Sequence, residues 1–198
     1  MRISSITTTL EQGWRRVSAD IEGKPLWFES ADVALGPSPE AFASAMLIPA
    51  IARAETLTVE GSLSDVWLSN VNRILPVFRE WWGYPELAPQ PVGPGCDNTT
   101  RLESTALCFS GGVDSFYSLL RSGYAVDYLV FVIGFDMKLD DVARAAAFES
   151  SLREVADETG AHPIIIRTNL REHPVFAPVS WERTHGGALA AIGRLMIG

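Results

Sequence analysis

The amino-acid sequence predicts an α/β protein in which residues 100–198 form a three-layer unit on a parallel sheet and residues 1–99 form an α+β accessory unit. Three observations carry this. After residue 100, short apolar runs alternate with amphipathic helical patterns, the arrangement of strand–helix–strand units. Before residue 30, threonine, serine, valine and aromatic residues fill extended stretches broken by turn residues. Between the halves, Pro85 to Thr100 holds four prolines and two glycines with little periodicity, which reads as a connector with a boundary near residue 100.

The elements follow in order. Residues 2 to 30, punctuated by Gly13 and by Glu22-Gly23-Lys24, predict a small sheet of two or three antiparallel strands. Ser38-Pro39-Glu40 supplies an N-cap with proline at the first helical position, and Phe42, Ala45, Met46, Pro49 and Ala50 continue at helical spacing, with Pro49 expected to bend or end the helix. Thr56 to Glu60 alternates as a short strand. Ser64 and Asp65 then open a helix whose apolar stripe is Val71, Ile74, Leu75 and Phe78 and which stops near Trp81-Trp82-Gly83.

In the second half, Ser104 to Phe109 is apolar enough to predict a strand buried on both faces. A helix from about Asp114 carries Phe116, Leu119 and Leu120, with Gly123 placed for a left-handed C-terminal cap. Asp127 to Phe135 is the next buried strand. Leu139 to Glu158 is an amphipathic helix through Ala145, Phe148, Leu152 and Val155, and Pro163 to Arg167 is the third strand. A helix over about Thr184 to Met196 follows. Strands linked by helices in this order predict parallel pairing with right-handed crossovers.

The 198 residues, 47% of them hydrophobic, suffice for one good core with a smaller satellite layer. Net charge is −8 and the lysines are Lys24 and Lys138 alone, so the broad basic face that neutralises a nucleic-acid backbone is missing and a tRNA substrate is disfavoured. Cys96 and Cys108 lack the CxxC spacing of a zinc site or redox dithiol, which favours a reducing, cytoplasmic setting, and Cys108, inside its strand, is expected to be inert. Met1 to Ser5 has no signal-peptide core, and no apolar run approaches the roughly 18 residues of a membrane span.

The chemistry concentrates at Ser110-Gly111-Gly112-Val113-Asp114-Ser115. A glycine pair between a strand end and a helix start lets successive N–H groups converge on an anion with no Cβ in the way. The helix dipole adds to that field. Ser110 and Ser115 offer hydroxyls to phosphate oxygens, and Asp114 is placed either to cap the helix or to hold Mg²⁺ against the phosphates. A plain strand-to-helix turn explains the same residues in isolation. Its place at the carboxyl end of the first strand of a parallel unit, where open α/β sheets bind ligands, favours the phosphate cradle.

The segment is neither a Walker A loop nor GxGxxG. It resembles, residue for residue, the SGGxDS signature of the PP-loop, or N-type, ATP pyrophosphatases of the adenine nucleotide alpha hydrolase-like (HUP) fold class, a superfamily that includes asparagine, GMP and NAD synthetases, the queuosine-precursor nitrile synthase and tRNA thiolation enzymes. The resemblance covers residues 102 to 198. It implies ATP and Mg²⁺ as cofactors, cleavage between the α and β phosphates, and a ligase-type reaction. In that reaction a carbonyl oxygen of a small molecule or peptide is adenylylated, and nitrogen or sulfur then displaces AMP to form an amide, nitrile or thio group. Ser110 to Ser115 would grip the leaving pyrophosphate and Asp114 would position the metal.

By the same resemblance Gly134 and Asp136 lie beside the adenine or ribose, although a strand end and a helix cap account for them equally well. Arg171, His185 and Lys138 are weaker candidates: a solvated arginine, a packing or capping histidine and a solvated lysine are the commoner outcomes. Trp81 and Trp82 read as core or interface aromatics. The superfamily carries five strands and a later basic residue facing the transferring phosphate, whereas this sequence supplies three strands and a helix. A truncated product, or completion by a partner chain or second copy, is therefore expected, with a non-catalytic nucleotide-binding module as the alternative. A sulfonucleotide reductase, which has a similar loop, would need a catalytic cysteine that the sequence does not offer.

Overall fold

The computed structural model describes residues 1–93 and 103–196. The boundary expected near residue 100 and Cys96 lie outside the described residues.

Three antiparallel strands open the chain: β1 (Arg2–Glu11), β2 (Trp14–Ile21) and β3 (Lys24–Ser30). Turns at Gln12-Gly13 and Glu22-Gly23 join them, all four residues at positive φ. Helix α1 (Pro39–Ala52) begins where Ser38 Oγ accepts from Ala41 N–H, and it continues through Pro49 to Ala52. It is apolar all round, with Ala41 to Ile51 buried, so it runs through the core and not over it. Strand β4 (Thr58–Glu60), helix α2 (Asp65–Trp82) and strand β5 (Gln90–Val92) follow. Trp67, Val71, Leu75 and Phe78 form the buried stripe of α2, whereas Ile74, expected on that stripe, is 42% exposed. Strand β5 lies in the proline-rich stretch expected to be a plain connector; it pairs parallel to β4, at the sheet edge where proline is tolerated.

The alternating half comprises β6 (Ala106–Cys108), α3 (Val113–Arg121), β7 (Tyr128–Ile133), α4 (Val142–Thr159), β8 (His162–Thr168), a 3-10 turn (Leu170–Glu172) and α5 (Trp181–Leu195). Strands β6, β7 and β8 pair in parallel, as the alternation predicts.

All eight strands form one mixed sheet, in the order β5-β4-β1-β2-β3-β8-β7-β6. The two halves meet where β3 pairs antiparallel with β8, Phe28 opposite Thr168 and Ser30 opposite Ile166. Ser30 Oγ donates to Ile165 O at 2.8 Å, and Asp32 Oδ2 accepts from Ile165 N–H at 2.8 Å, which secures that junction.

Alternation on β7 separates two cores. Val130 and Val132 belong to the core on one face that also holds the buried residues of α1, α2 and α5. Leu129, Phe131 and Ile133 pack with Leu152 and Ala156 of α4 on the other. The parallel half is thus a three-layer α/β arrangement, while the sheet as a whole is mixed. Helices α1 and α5 belong to the same core, and their link is electrostatic as well: Glu40 Oε2 lies 3.0 Å from Arg194 Nη1, while Glu40 Oε1 accepts from Ser64 N–H at the head of α2. Among the described residues, no helix is long and apolar enough to cross a membrane.

Strand β6 departs from expectation. It is three residues long and stands at the sheet edge, with Ala106 and Cys108 exposed, in place of a strand buried on both faces. Apolar composition records hydrophobicity but not neighbours, and among the described residues neighbours stand on one side only. The contacts Asp127 N–H to Thr105 O and Phe109 N–H to Val130 O direct the odd-numbered backbone groups toward β7. The groups of Ala106 and Cys108 consequently point to the open edge.

Candidate functional site

The Ser110–Ser115 turn leaves the carboxyl end of β6 and enters α3. Phe109 is buried and anchored by its N–H bond to Val130 O at 2.8 Å, while Ser110 through Asp114 are exposed. Gly111 has φ +73°, and a Cβ there would stand 2.9 Å from Phe148 Cε2. Phe148, on α4, stacks on Phe131 of β7 at 3.9 Å between centroids. The turn therefore rests on α4, and only glycine fits that seat.

Gly112 caps α3 with no side-chain bond, and the first helical bond is Phe116 N–H to Gly112 O at 3.1 Å. The N–H groups of Val113, Asp114 and Ser115 precede it and are the orphan donors of a helix start. Asp114 does not cap; its carboxylate lies in the exposed first turn with no hydrogen bond or ion pair among the described residues. Ser115 corrects the sequence expectation. Its hydroxyl is buried and donates to Gly112 O at 2.8 Å, so it braces the turn and is not offered to a ligand.

Gly134, just past β7, has φ +104°, and a Cβ there would overlap the Thr168 carbonyl at the end of β8. This glycine is required by strand-to-strand approach, whatever else lies beside it. Asp136 is exposed and is not a helix cap, a role taken by Asp141 for α4. Arg171, in the 3-10 turn, donates from Nη1 to Phe135 O at 2.7 Å, lies 3.9 Å from Asp136 Oδ1, and stacks over Trp181 at 4.8 Å. Trp181 also packs on Phe135 at 5.0 Å. Residues that the sequence treats as separate candidates after β7, after β8 and at the start of α5 thus form one wall. His185 Nδ1 lies 3.1 Å from Trp181 O; a neutral imidazole donates there and keeps Nε2 as an acceptor.

Two grooves open on either side of the turn. One, about 240 Å³, lies on the α5 side and is lined by Ser110, Val132, Phe135, Asp136, Trp181 and His185. The other, about 290 Å³, lies on the α4 side and is lined by Ser110, Asp136, Met137, Arg144 and Phe148. Ser110 and Asp136 belong to both, so the carboxyl edge of β6 and β7 is the point where the grooves meet.

Cys108 also lines the α5-side groove. The residue as a whole is exposed because its backbone forms the sheet edge, whereas desolvation in the groove pushes the thiol pKa up and keeps it protonated at neutral pH. Lys138 is solvent-exposed and lines neither groove. Among the described residues, no group of three or more His, Cys, Asp or Glu side chains could hold a metal by itself. Asp114 and Asp136 are exposed and offer one carboxylate each; a Mg²⁺ ion would need no more than that from protein, filling its remaining positions with phosphate oxygens and water. The sequence reading missed Arg144, whose only signal is its place one helical turn before Phe148.

Comparison of the chain with protein-family models, curated proteins and solved structures finds no match. Fold and site by themselves define the class: an α/β protein on a mixed eight-stranded sheet, with a glycine turn and a helix start at the carboxyl end of its parallel strands.

Proposed function

We propose that the chain is an adenylylating ATP pyrophosphatase of the PP-loop class, with its parallel half built on the adenine nucleotide alpha hydrolase-like fold. The single observation that carries this is the exposed Ser110–Asp114 turn, with the α3 N–H groups behind it, set between two grooves. Ser110 and the turn amides receive the β and γ phosphates. Asp114, on the turn, and Asp136, on the rim of both grooves, are the carboxylates that would hold Mg²⁺, which would neutralise phosphate charge. A carbonyl oxygen of a small-molecule or peptide substrate attacks the α-phosphorus, the α–β bridging P–O bond breaks, and pyrophosphate leaves. Nitrogen or sulfur then displaces AMP. The protein's contribution is alignment and charge stabilisation.

The test is titration of the full chain with ATP and Mg²⁺, followed by assay for AMP and pyrophosphate. Ser110→Ala and Asp114→Ala are each expected to weaken ATP binding about tenfold or more, the scale of one charge-assisted hydrogen bond. Binding of ATP unchanged in both variants would refute the assignment.

A second reading, a nucleotide-binding subunit that depends on a partner chain or second copy, draws support from the edge of β6, unpaired among the described residues, and from Val113, Tyr117 and Leu120 of α3, which are 85%, 67% and 72% exposed. Binding of ATP without release of AMP and pyrophosphate by the isolated chain selects this second reading.

A further inference from the structure

We propose that Arg144 of α4 is the cationic ligand of the pyrophosphate held by the Ser110–Ser115 turn. The inference rests on the nucleotide-binding function proposed above and names the basic group which that function needs.

The placement comes from packing. Phe148 lies directly beneath Gly111, since a Cβ on that glycine would stand 2.9 Å from its ring. Arg144 precedes Phe148 by one helical turn and so projects from the same face of α4. It lines the α4-side groove together with Ser110, which joins the glycine turn to the first turn of α4 across a cavity of about 290 Å³.

The alternatives are committed elsewhere or lie outside both grooves beside the turn. Arg171 is held by Phe135 O, the Asp136 carboxylate and the Trp181 ring. Arg121 lines a separate groove at the opposite end of β6, beside Thr105. Arg183 donates to Tyr84 Oη at 2.7 Å. Lys138 lines neither groove beside the turn. Arg144, by contrast, forms no ion pair among the described residues; only its backbone N–H is engaged, by Asp141 Oδ1. A guanidinium with its donors unspent among the described residues, in one groove with Ser110, whose turn leads into the orphan amides of α3, matches the oxygens of a polyphosphate.

The facing groups set the conditions. Asp136 is the carboxylate on the same rim and repels a free polyanion, which favours an anion whose charge Mg²⁺ would reduce. Adenosine monophosphate, with no β or γ phosphate, does not reach Arg144.

Calorimetric titration of the full chain with Mg²⁺-pyrophosphate and, separately, with AMP tests this. Arg144→Ala is expected to weaken pyrophosphate binding about tenfold or more and AMP binding less than about twofold, with Arg144→Lys intermediate because a lysine keeps the charge but not the paired donors. Arg144 is solvent-exposed, so both variants should keep the wild-type melting transition. If Arg144→Ala binds pyrophosphate as tightly as wild type while Ser110→Ala does not, the role of Arg144 is refuted and the turn's function stands. If the wild-type chain binds neither pyrophosphate nor ATP, both fall together.

Discussion

Gly134 and Ser115 show opposite relations between a residue type and its role. Gly134 is at φ +104° with the Thr168 carbonyl occupying the space a Cβ would need, so its side-chain-free state is a condition of β7 lying beside the end of β8. Gly134→Ala therefore meets both strain and overlap and is expected to cost about 3 kcal/mol or more, read as a lower urea midpoint with unchanged slope. A midpoint within experimental error of wild type would show that the backbone yields there. The glycine itself stands out in the sequence; that Thr168 is its reason does not, because the two lie 34 positions apart. Ser115 illustrates the reverse. Its hydroxyl matches a phosphate donor by spacing, yet helical geometry turns it back onto Gly112 O. The glycine pair, Ser110 and Asp114 are legible because the turn is local, a strand end and a helix start, whereas Arg144 and the wall of Arg171, Trp181 and Asp136 form only when separate loops meet.

Among elements, the tether of the segment after β8 to the β2–β3 hairpin shows a consequence of burial. His173 is 2% exposed; its Nδ1 accepts from Val175 N–H, which leaves Nε2 as the donor to Lys24 O at 3.3 Å. Burial holds its pKa below the usual value of roughly 6.5, with the Lys24 carbonyl and Asp20 opposing. The unfolded chain consequently binds a proton that the folded chain refuses. The sign follows: this group's contribution is complete above about pH 6.5 and declines as pH falls toward the lowered folded value. His173→Gln keeps a donor at similar reach and should flatten the loss of stability between pH 6.5 and 5, measured by urea unfolding at each pH. A wild-type slope retained in the variant would assign that loss to other groups. At this scale the sequence identified α1, α2, α3, α4, α5, β7 and β8 to within a few residues, because caps and periodicity are short-range signals. It misjudged β6, since an apolar strand reads the same at a sheet edge as in a sheet centre.

In the molecule as a whole, the β3–β8 pairing and the shared core of α1 and α5 join halves that the proline-rich stretch separates in sequence. Strand β8 needs β3 on its open side, and α5 needs α1 and the Glu40–Arg194 link. The full chain is therefore expected to unfold in urea as one transition, with fluorescence and circular dichroism coinciding. A segment of residues 103–196 alone should lack a cooperative transition, because Ile166, Ala188 and Ile192 lose the surface that buries them. A cooperative transition in that segment would mark it as an independent unit.

By itself the sequence determined the α/β class, the order of the strand and helix alternation, and the glycine turn with its flanking serine and aspartate. Each of these is written in contacts a few residues apart, where capping, turn geometry and periodicity act. Only the tertiary structure decided that one mixed sheet unites both halves, that β6 is its edge, and that Arg144, Asp136 and Trp181 gather around Ser110. Those depend on which surfaces bury one another across the chain, and apolar burial is non-directional, so composition cannot name the partner.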